Sequence, residues 1–513
     1  RRTFNESTQY RVCVQEKIVE KRGNQEDARR IKFGTDGWRA VIADGLTFDN
    51  VARVAEATAK FLLSEKRKEL DIYTDWGSPY RPAADGVVVG YDMRFLSREF
   101  AHHFARVLHD TGIPVVISHG PVTTPTVSYA VVDRRAAAGI MITASHNPPI
   151  YNGIKYKAEY GGSAPGEVTD GVVAHLPDQA PVPRTPEGGV PEVDLRTPFL
   201  NKIRTLIDPA RLKASPVHVV VDSMYGSAQG YVAEILRENH VPYTQIRARR
   251  DVLFGGKKPE PLEENLVPLR AVIASLHPKK KHLLGVVTDG DGDRISAMDE
   301  QGGFIDAHRT FALILRYLVE ERRMRGAVVT SFNLTDMARD MCEDYGLTQI
   351  VVPIGFKHHC EQILTRGDVL IAGEESGSIA IRGHIPERDG VLCSLLLTEI
   401  AASAGKPMSA LVQSLFDKYG PRFYHRRDIH VPHRLEVVEK LRHNPPERFA
   451  GKAVRAVETL DGVKLRFDDG WLLFRASGTE PILRLYCEMR EKKQVYALLE
   501  EAEQLARGDL RLW

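Results

Sequence analysis

The sequence predicts an α/β protein: three similar α/β domains in tandem with mixed sheets, followed by a smaller α+β domain. Three observations point there. The 513 residues suffice for roughly three or four domains at the usual ~100–200 residues each. A strand–helix–strand alternation, the mark of parallel βαβ units, recurs in three successive blocks. The last part of the chain then switches to short strands closed by one helix.

Taken in order, residues 1–30 are polar and charge-mixed without a sustained period, and read as an N-terminal arm. Phe33-Gly34-Thr35-Asp36-Gly37-Trp38-Arg39 is a glycine-bracketed loop with one arginine, and residues 51–63 have helical spacing. Residues 71–84 are turn-rich and read as an exposed insertion. Residues 86–92 form a buried strand, 100–111 a helix and 113–117 the next strand. A Pro- and Gly-dense linker spans 177–198. The pattern returns as strand 217–222 with helix 230–237, and again as strand 327–330, helix 334–345 and strand 349–353. Short strands near 430, 452–458, 462–467 and 471–474 precede the closing helix 495–506. The expected domains are therefore 31–195, 196–305, 306–425 and 426–513.

Apolar residues make up 43% and charged ones 27%, an ordinary globular composition. A net charge of +2 builds no global field for nucleic acid or a membrane surface. Five scattered cysteines without a C-x-x-C pair suggest a reducing compartment, and no apolar run approaches the ~20 residues of a membrane span. A cytoplasmic monomer or homodimer is expected.

Four loops carry chemistry. Thr143-Ala144-Ser145-His146-Asn147-Pro148-Pro149 follows an apolar run and puts a hydroxyl and an imidazole at a strand end, with Lys155 soon after. Taken alone it reads as a turn. Thr288-Asp289-Gly290-Asp291-Gly292-Asp293-Arg294 offers three carboxylates that can wrap one hard cation. Glu300 falls at the twelfth position of an EF-hand, but Arg294 replaces the glycine at the sixth and strands flank the loop, so that reading is rejected. Ala372-Gly373-Glu374-Glu375-Ser376-Gly377 can accept sugar hydroxyls or simply cap a helix. Arg475-Ala476-Ser477-Gly478-Thr479-Glu480-Pro481, with Arg484 beyond, suits a phosphate dianion. Nucleophile, metal, hydroxyl acceptors and phosphate clamp together specify phosphoryl transfer on a phosphosugar.

With these motifs in this order, the chain resembles the α-D-phosphohexomutase family from Phe33 to near its C-terminus. The resemblance implies a heart-shaped molecule around a central cleft, with a TBP-like fourth domain. It implies that Ser145 carries the phosphoryl group. Asp289, Asp291 and Asp293 would hold Mg²⁺, completed by a phosphoserine oxygen, and Arg39 and Arg294 would stabilise the transferring charge. Glu374 and Ser376 would bind sugar hydroxyls, with Lys357 lining the sugar site. Arg475, Ser477, Gly478, Thr479 and Arg484 would hold the idle phosphate. Lys155 and His146 are the candidates for proton handling, Lys155 with a pKa near neutral if crowded by cations.

Three departures bear on substrate. Ala476 stands where a proline is common. Ser378 follows Gly377 where dual mannose/glucose enzymes have histidine, and Arg388 occupies a position where some phosphoglucomutases have a lysine near the sugar. Glucose is the first expectation, mannose the second and glucosamine the third, with a hexose 1,6-bisphosphate as intermediate and activator. A metal-dependent sugar-phosphate phosphatase and a non-catalytic sensor are the rival readings. The clamp's place on the last domain predicts that this domain moves.

Overall fold

The computed structural model describes residues 31–508 apart from 35, 215–216, 278, 281 and 479–480. The reading of residues 1–30 as an arm lies outside the described residues. The first sheet has six strands in the order β1-β5-β4-β2-β3-β6. These are β1 (Trp38–Val41), β2 (Val87–Tyr91), β3 (Val115–Ser118), β4 (Ala138–Ile142), β5 (Tyr151–Lys157) and β6 (Glu192–Val193). Its centre is parallel, whereas β5 runs antiparallel to β4 and to β1. Every residue of β2 and β4 is buried, which is why both read as unbroken apolar runs. The helix Phe48–Leu62 packs alongside, capped by Thr47, whose Oγ1 accepts from Asn50 N at 3.2 Å.

The second sheet, β11-β10-β9-β7-β8, comprises β7 (His218–Asp222), β8 (Tyr243–Ile246), β9 (Leu283–Thr288), β10 (Ile295–Met298) and β11 (Phe304–Ile305). The third, β13-β12-β14-β15, comprises β12 (Ala327–Ser331), β13 (Gln349–Val352), β14 (Val369–Gly373) and β15 (Ile379–Ile381). Both repeat the plan of the first: a parallel centre with an antiparallel return at one edge. β16 (Phe423–His430) crosses the boundary expected at 425/426 and opens the fourth domain. There β17 (Arg448–Phe449) pairs with β18 (Lys452–Ala453) as a separate ribbon. β19 (Ala456–Glu458), β20 (Val463–Phe467), β21 (Gly470–Ala476) and β22 (Ile482–Met489) join β16 in a fully antiparallel sheet, β16-β22-β21-β20-β19. Helix Lys492–Arg507 covers it.

One expectation is corrected. Residues 71–84 are not a free insertion. Ile72 is fully buried, and the Glu167 carboxylate accepts the N–H groups of Asp71 and Ile72 at 3.0 Å each. Two buried apolar side chains, Ile72 and Ala83, and a cap from 95 residues away dock a stretch whose composition is that of a turn.

The cores run across domain lines. One cluster joins Phe199 and Val219 of the second domain to Leu313 and Leu370 of the third. Another joins Val89 and Ile140 of the first to Val329 and Phe356 of the third. The fourth domain has its own core, with a small aromatic patch, Phe332, Trp471, Leu473 and Tyr486, at its seam with the third. Cys342, Cys360, Cys393 and Cys487 are buried free thiols. Among the described residues no single helix is long and apolar enough to cross a membrane.

Candidate active site

Three of the four loops leave their sheets in the same way. β4, β9 and β14 each stand at the border of the parallel region and are followed by an antiparallel neighbour, β5, β10 and β15. The connecting loops 143–150, 289–294 and 374–378 therefore emerge at equivalent strand ends, where α/β sheets offer their ligand sites.

Ser145 has φ 51°, a left-handed conformation that costs a non-glycine residue roughly 1–2 kcal/mol. Its Oγ donates to Asp289 Oδ2 at 2.9 Å. Asp289, Asp291 and Asp293 are fully buried, each with an oxygen within 4.8 Å of the others. Burial, then repulsion from Asp291 and Asp293, pushes the Asp289 carboxyl well above its ordinary pKa. Asp291 Oδ1 and Asp293 Oδ1 are buried without a hydrogen bond. Orphaned carboxylate oxygens at this spacing are the donor set of a hard divalent cation, so the residues fit Mg²⁺.

The metal loop is clamped from three sides. Thr124 N donates to Asp291 O at 2.9 Å and Thr124 Oγ1 to Asp291 Oδ2 at 2.6 Å. Ser227 N reaches Gly290 O at 2.9 Å, and Gly390 N reaches Gly292 O at 3.0 Å. Ile295 N donates to Gly377 O at 3.0 Å. Gly377 has φ 85°, and a Cβ there would lie 2.2 Å from Ile295 O, so only glycine lets the third domain approach this closely.

Lys155 is fully buried and bonds Asp291 Oδ2 and Asp293 Oδ2 at 2.8 Å and Asp36 Oδ2 at 2.9 Å. Burial pulls its pKa down, but these three carboxylates outweigh burial and hold it above the ordinary lysine value. The near-neutral lysine is expected under crowding by Arg and metal; among the protein groups Arg388 does lower the pKa, but the carboxylates act more strongly in the other direction. Arg388 donates Nε to Asp293 Oδ2 at 2.9 Å and Nη2 to Asp36. Its guanidinium is thus held by two carboxylates. Arg294 Nε lies 4.0 Å from the same Asp289 oxygen that Ser145 engages, and its Nη1 lies 3.4 Å from Glu260. Arg39 donates to Asn147 Oδ1 at 2.9 Å, two residues past the serine. His146 Nδ1 lies 3.4 Å from Ser145 Oγ. Burial, then Arg294 and Arg39, hold its pKa well below the usual histidine value, so the ring is neutral.

In the third loop, Glu374 Oε1 accepts Gly355 N at 2.8 Å, and burial pushes its pKa up to about 7. Ser376 Oγ lies 3.0 Å from the Oγ of buried Ser378. Lys357 sits in the first turn of helix Phe356–Arg366, facing Gly166 of the first domain. In the fourth domain, Arg475 and Arg484 are direct partners across β21 and β22. Like charges placed opposite repel, unless an anion lies between them. Arg475 Nε donates to Asp461 Oδ1 at 3.0 Å, and Asp461 Oδ2 accepts Ile354 N at 2.9 Å, one residue before Gly355. Arg484 Nε is buried without a hydrogen bond. Ser477 is buried, Gly478 is exposed, and Thr479 lies outside the described residues.

The sequence reading gave no role to Asp36, which gathers Lys155 and Arg388, or to Glu260, which lies 3.9 Å from His146 Nε2 beside Arg294. Asp461 and Arg426, the latter 3.3 Å from Glu375, were also missed. Asp36 had a signal in its glycine-bracketed loop, and Glu260 one in the stiff Pro259-Glu260-Pro261 run.

Models of the phosphoglucomutase/phosphomannomutase family match the chain in register: alpha/beta/alpha domain I at residues 30–181, domain II at 197–302, domain III at 306–419 and the C-terminal domain at 434–505. A phosphoglucomutase/phosphomannomutase of Thermococcus kodakarensis is 30% identical over 91% of this chain and 96% of its own. The chain belongs to the phosphoglucomutase/phosphomannomutase family. Like other α-D-phosphohexomutases it is an isomerase, an intramolecular phosphotransferase. A probable phosphoglucosamine mutase of Methanothermobacter thermautotrophicus is 29% identical over 90% of this chain and 94% of its own. A crystal structure of a putative phosphomannomutase from Thermus thermophilus superposes with a TM-score of 0.80 at 35% identity, covering 93% of this chain and 99% of that one. The phosphatase reading gains no support from these relatives.

Proposed function

We propose that this phosphohexomutase interconverts a hexose 1-phosphate and a hexose 6-phosphate through phosphorylated Ser145, with glucose preferred, then mannose, then glucosamine. One observation carries the reading: the Ser145 hydroxyl stands 2.9 Å from Asp289 in a buried aspartate triad, whose loop is bonded to the Glu374 loop through Ile295 N and Gly377 O. Phosphoryl transfer asks mainly for positioning and charge neutralisation. Mg²⁺ held by Asp289, Asp291, Asp293 and a phosphoserine oxygen would neutralise charge on the transferring group. Arg294 and Arg39 flank the serine and add to this, while Arg388 and Asp36 hold Asp293 and Lys155 in place.

A hexose 1-phosphate sets its phosphate on Arg475, Ser477, Gly478, Thr479 and Arg484, and its hydroxyls on Glu374 and Ser376 beside Lys357. The sugar O6 attacks phosphorus, the Oγ–P bond breaks as P–O6 forms, and the O6 proton passes to a base. His146, kept neutral beside Ser145 Oγ, accepts a proton there, and Lys155 carries one. The 1,6-bisphosphate then turns over within the site, Ser145 takes the 1-phosphoryl back, and the 6-phosphate leaves. Glucose is favoured because Ser378, buried against Ser376, replaces the histidine of the dual enzymes. Competition kinetics on glucose, mannose and glucosamine 1-phosphates tests the order, and a higher kcat/KM for either of the others overturns it. Free phosphate as the main product would sink the mutase reading itself.

A further inference from the structure

Arg94 is fully buried, and the reaction described above makes no use of it. It follows β2 on the loop after Asp92 and aims its guanidinium into the back of the serine loop. Nη2 donates to Ser145 O at 2.6 Å and Asn147 O at 2.7 Å. Nη1 donates to Pro148 O at 3.0 Å and Tyr151 O at 2.9 Å. Nε lies 3.3 Å from Asp92 Oδ2, and the plane stacks 5.0 Å from the Phe254 ring of the second domain. The rigid fork thus faces four carbonyls and a carboxylate, a set that a lysine ammonium cannot reproduce.

The same pair holds the other side of the serine. Asp92 Oδ2 accepts Thr143 Oγ1 at 2.6 Å, and Thr143 Oγ1 accepts Ser145 N at 2.8 Å. Asp92 Oδ1 is itself fixed by Ser97 Oγ at 2.5 Å and Arg94 N at 2.9 Å. The N–H of Ser145 is therefore tied to Asp92 through Thr143, and its C=O is tied to Arg94. Anchoring both peptide groups sets φ and ψ of a residue held in a left-handed conformation, and so sets where Oγ points. Gly290 adds the opposing wall, since a Cβ there would lie 2.6 Å from Ser145 O.

We propose that Asp92 and Arg94 are positioning residues that aim the Ser145 phosphoryl at the sugar oxygen, acting through the two peptide groups of the serine. The proposal rests on the mutase reading. A phosphoryl group held off line transfers slowly to sugar and is exposed to water for longer, so loss of the pair lowers transfer and raises leakage.

The test uses the full chain with Mg²⁺, phosphorylated with glucose 1,6-bisphosphate, and three variants. Thr143→Val removes only the bridging hydroxyl, Thr143→Ser keeps it, and Arg94→Lys keeps the charge but loses the fork. Single-turnover transfer to glucose 1-phosphate is followed beside phosphate release and KM. Thr143→Val and Arg94→Lys are expected to transfer about 10²-fold more slowly, the scale of a roughly 1 Å misplacement. A larger share of phosphoryl should go to water, KM should hold, and Thr143→Ser should recover most of the rate. Wild-type transfer in Thr143→Val overturns the proposal, as does a rate loss matched by KM, or Thr143→Ser as impaired as the valine. Should Arg94→Lys not fold, the Thr143 pair decides. A wild-type chain that takes no phosphate on Ser145 overturns the mutase reading instead, before any variant is compared.

Discussion

The first three domains and the fourth are joined in different ways. Among the first three, main chain meets main chain across the boundaries: Thr124 N to Asp291 O, Ile295 N to Gly377 O, Gly390 N to Gly292 O. One hydrophobic cluster joins the second domain to the third and another joins the first to the third. The fourth domain meets the third mostly through side chains, with Arg466 on Asp336 at 2.6 Å, Glu488 accepting Asp336 N at 2.9 Å and Arg426 on Glu375 at 3.3 Å. At that seam Lys464 is buried between Phe332 and Trp471, and burial pulls its pKa down to about 7. Ion pairs and a buried amine are weak adhesive compared with a shared core. The residues proposed to react are thus held where main chain and core are shared, and those proposed to grip the idle phosphate sit on the fourth domain.

Four measurements sharpen or break this division. Ser145→Ala should lower kcat by more than about 10⁴-fold, while calorimetry finds glucose 1-phosphate bound nearly as before; lost binding would show that the two halves are not separate. Arg475→Ala should cost about 10–100-fold in kcat/KM, the scale of hydrogen bonds to a charged group, with most of it in KM. A kcat loss as deep as that of Ser145→Ala would erase the distinction. Glu374, with its pKa raised to about 7, is ionised above that pH and loses acceptor capacity below it. Substrate affinity should therefore weaken roughly tenfold from pH 8 to pH 6, and Glu374→Gln should flatten the profile; an unchanged profile in that variant removes Glu374 from sugar binding. The smallest signal is a decrease in radius of gyration by solution scattering when glucose 1,6-bisphosphate is added. Matching profiles would count against a mobile fourth domain.

The four loops were legible because each is a local run of unusual composition at the end of an apolar strand. The domain repeat was legible because βαβ periodicity is also local. What escaped depends on contacts between distant residues. Asp36 and Arg388 meet across 352 residues, and nothing in either segment names the other. The place of Arg388 in its motif likewise says nothing of the two carboxylates it bonds. Nor does any local segment foretell that Asp36, Asp291 and Asp293 close together on Lys155. Residues 71–84 are mostly exposed, as read, but their docking was not legible because Glu167, which caps Asp71 and Ile72, lies far along the chain.

Strand β5 also has a consequence for how the chain reaches its native state. Lys155 and Lys157 lie on it, both fully buried. Apart from Asp36, their anionic partners come late: Asp291 and Asp293 from the second domain, and Glu387, 2.6 Å from Lys157 and 230 residues away. During synthesis from the N-terminus the first sheet is complete long before those carboxylates exist. The Lys155 side chain then gains its full set of carboxylates only with the second domain, and that of Lys157 its Glu387 partner only with the third; burying either without them is costly. The junction of the three domains is therefore also a joint completed late in the chain: until Glu387 is made, Lys157 lacks the carboxylate that stands 2.6 Å from it.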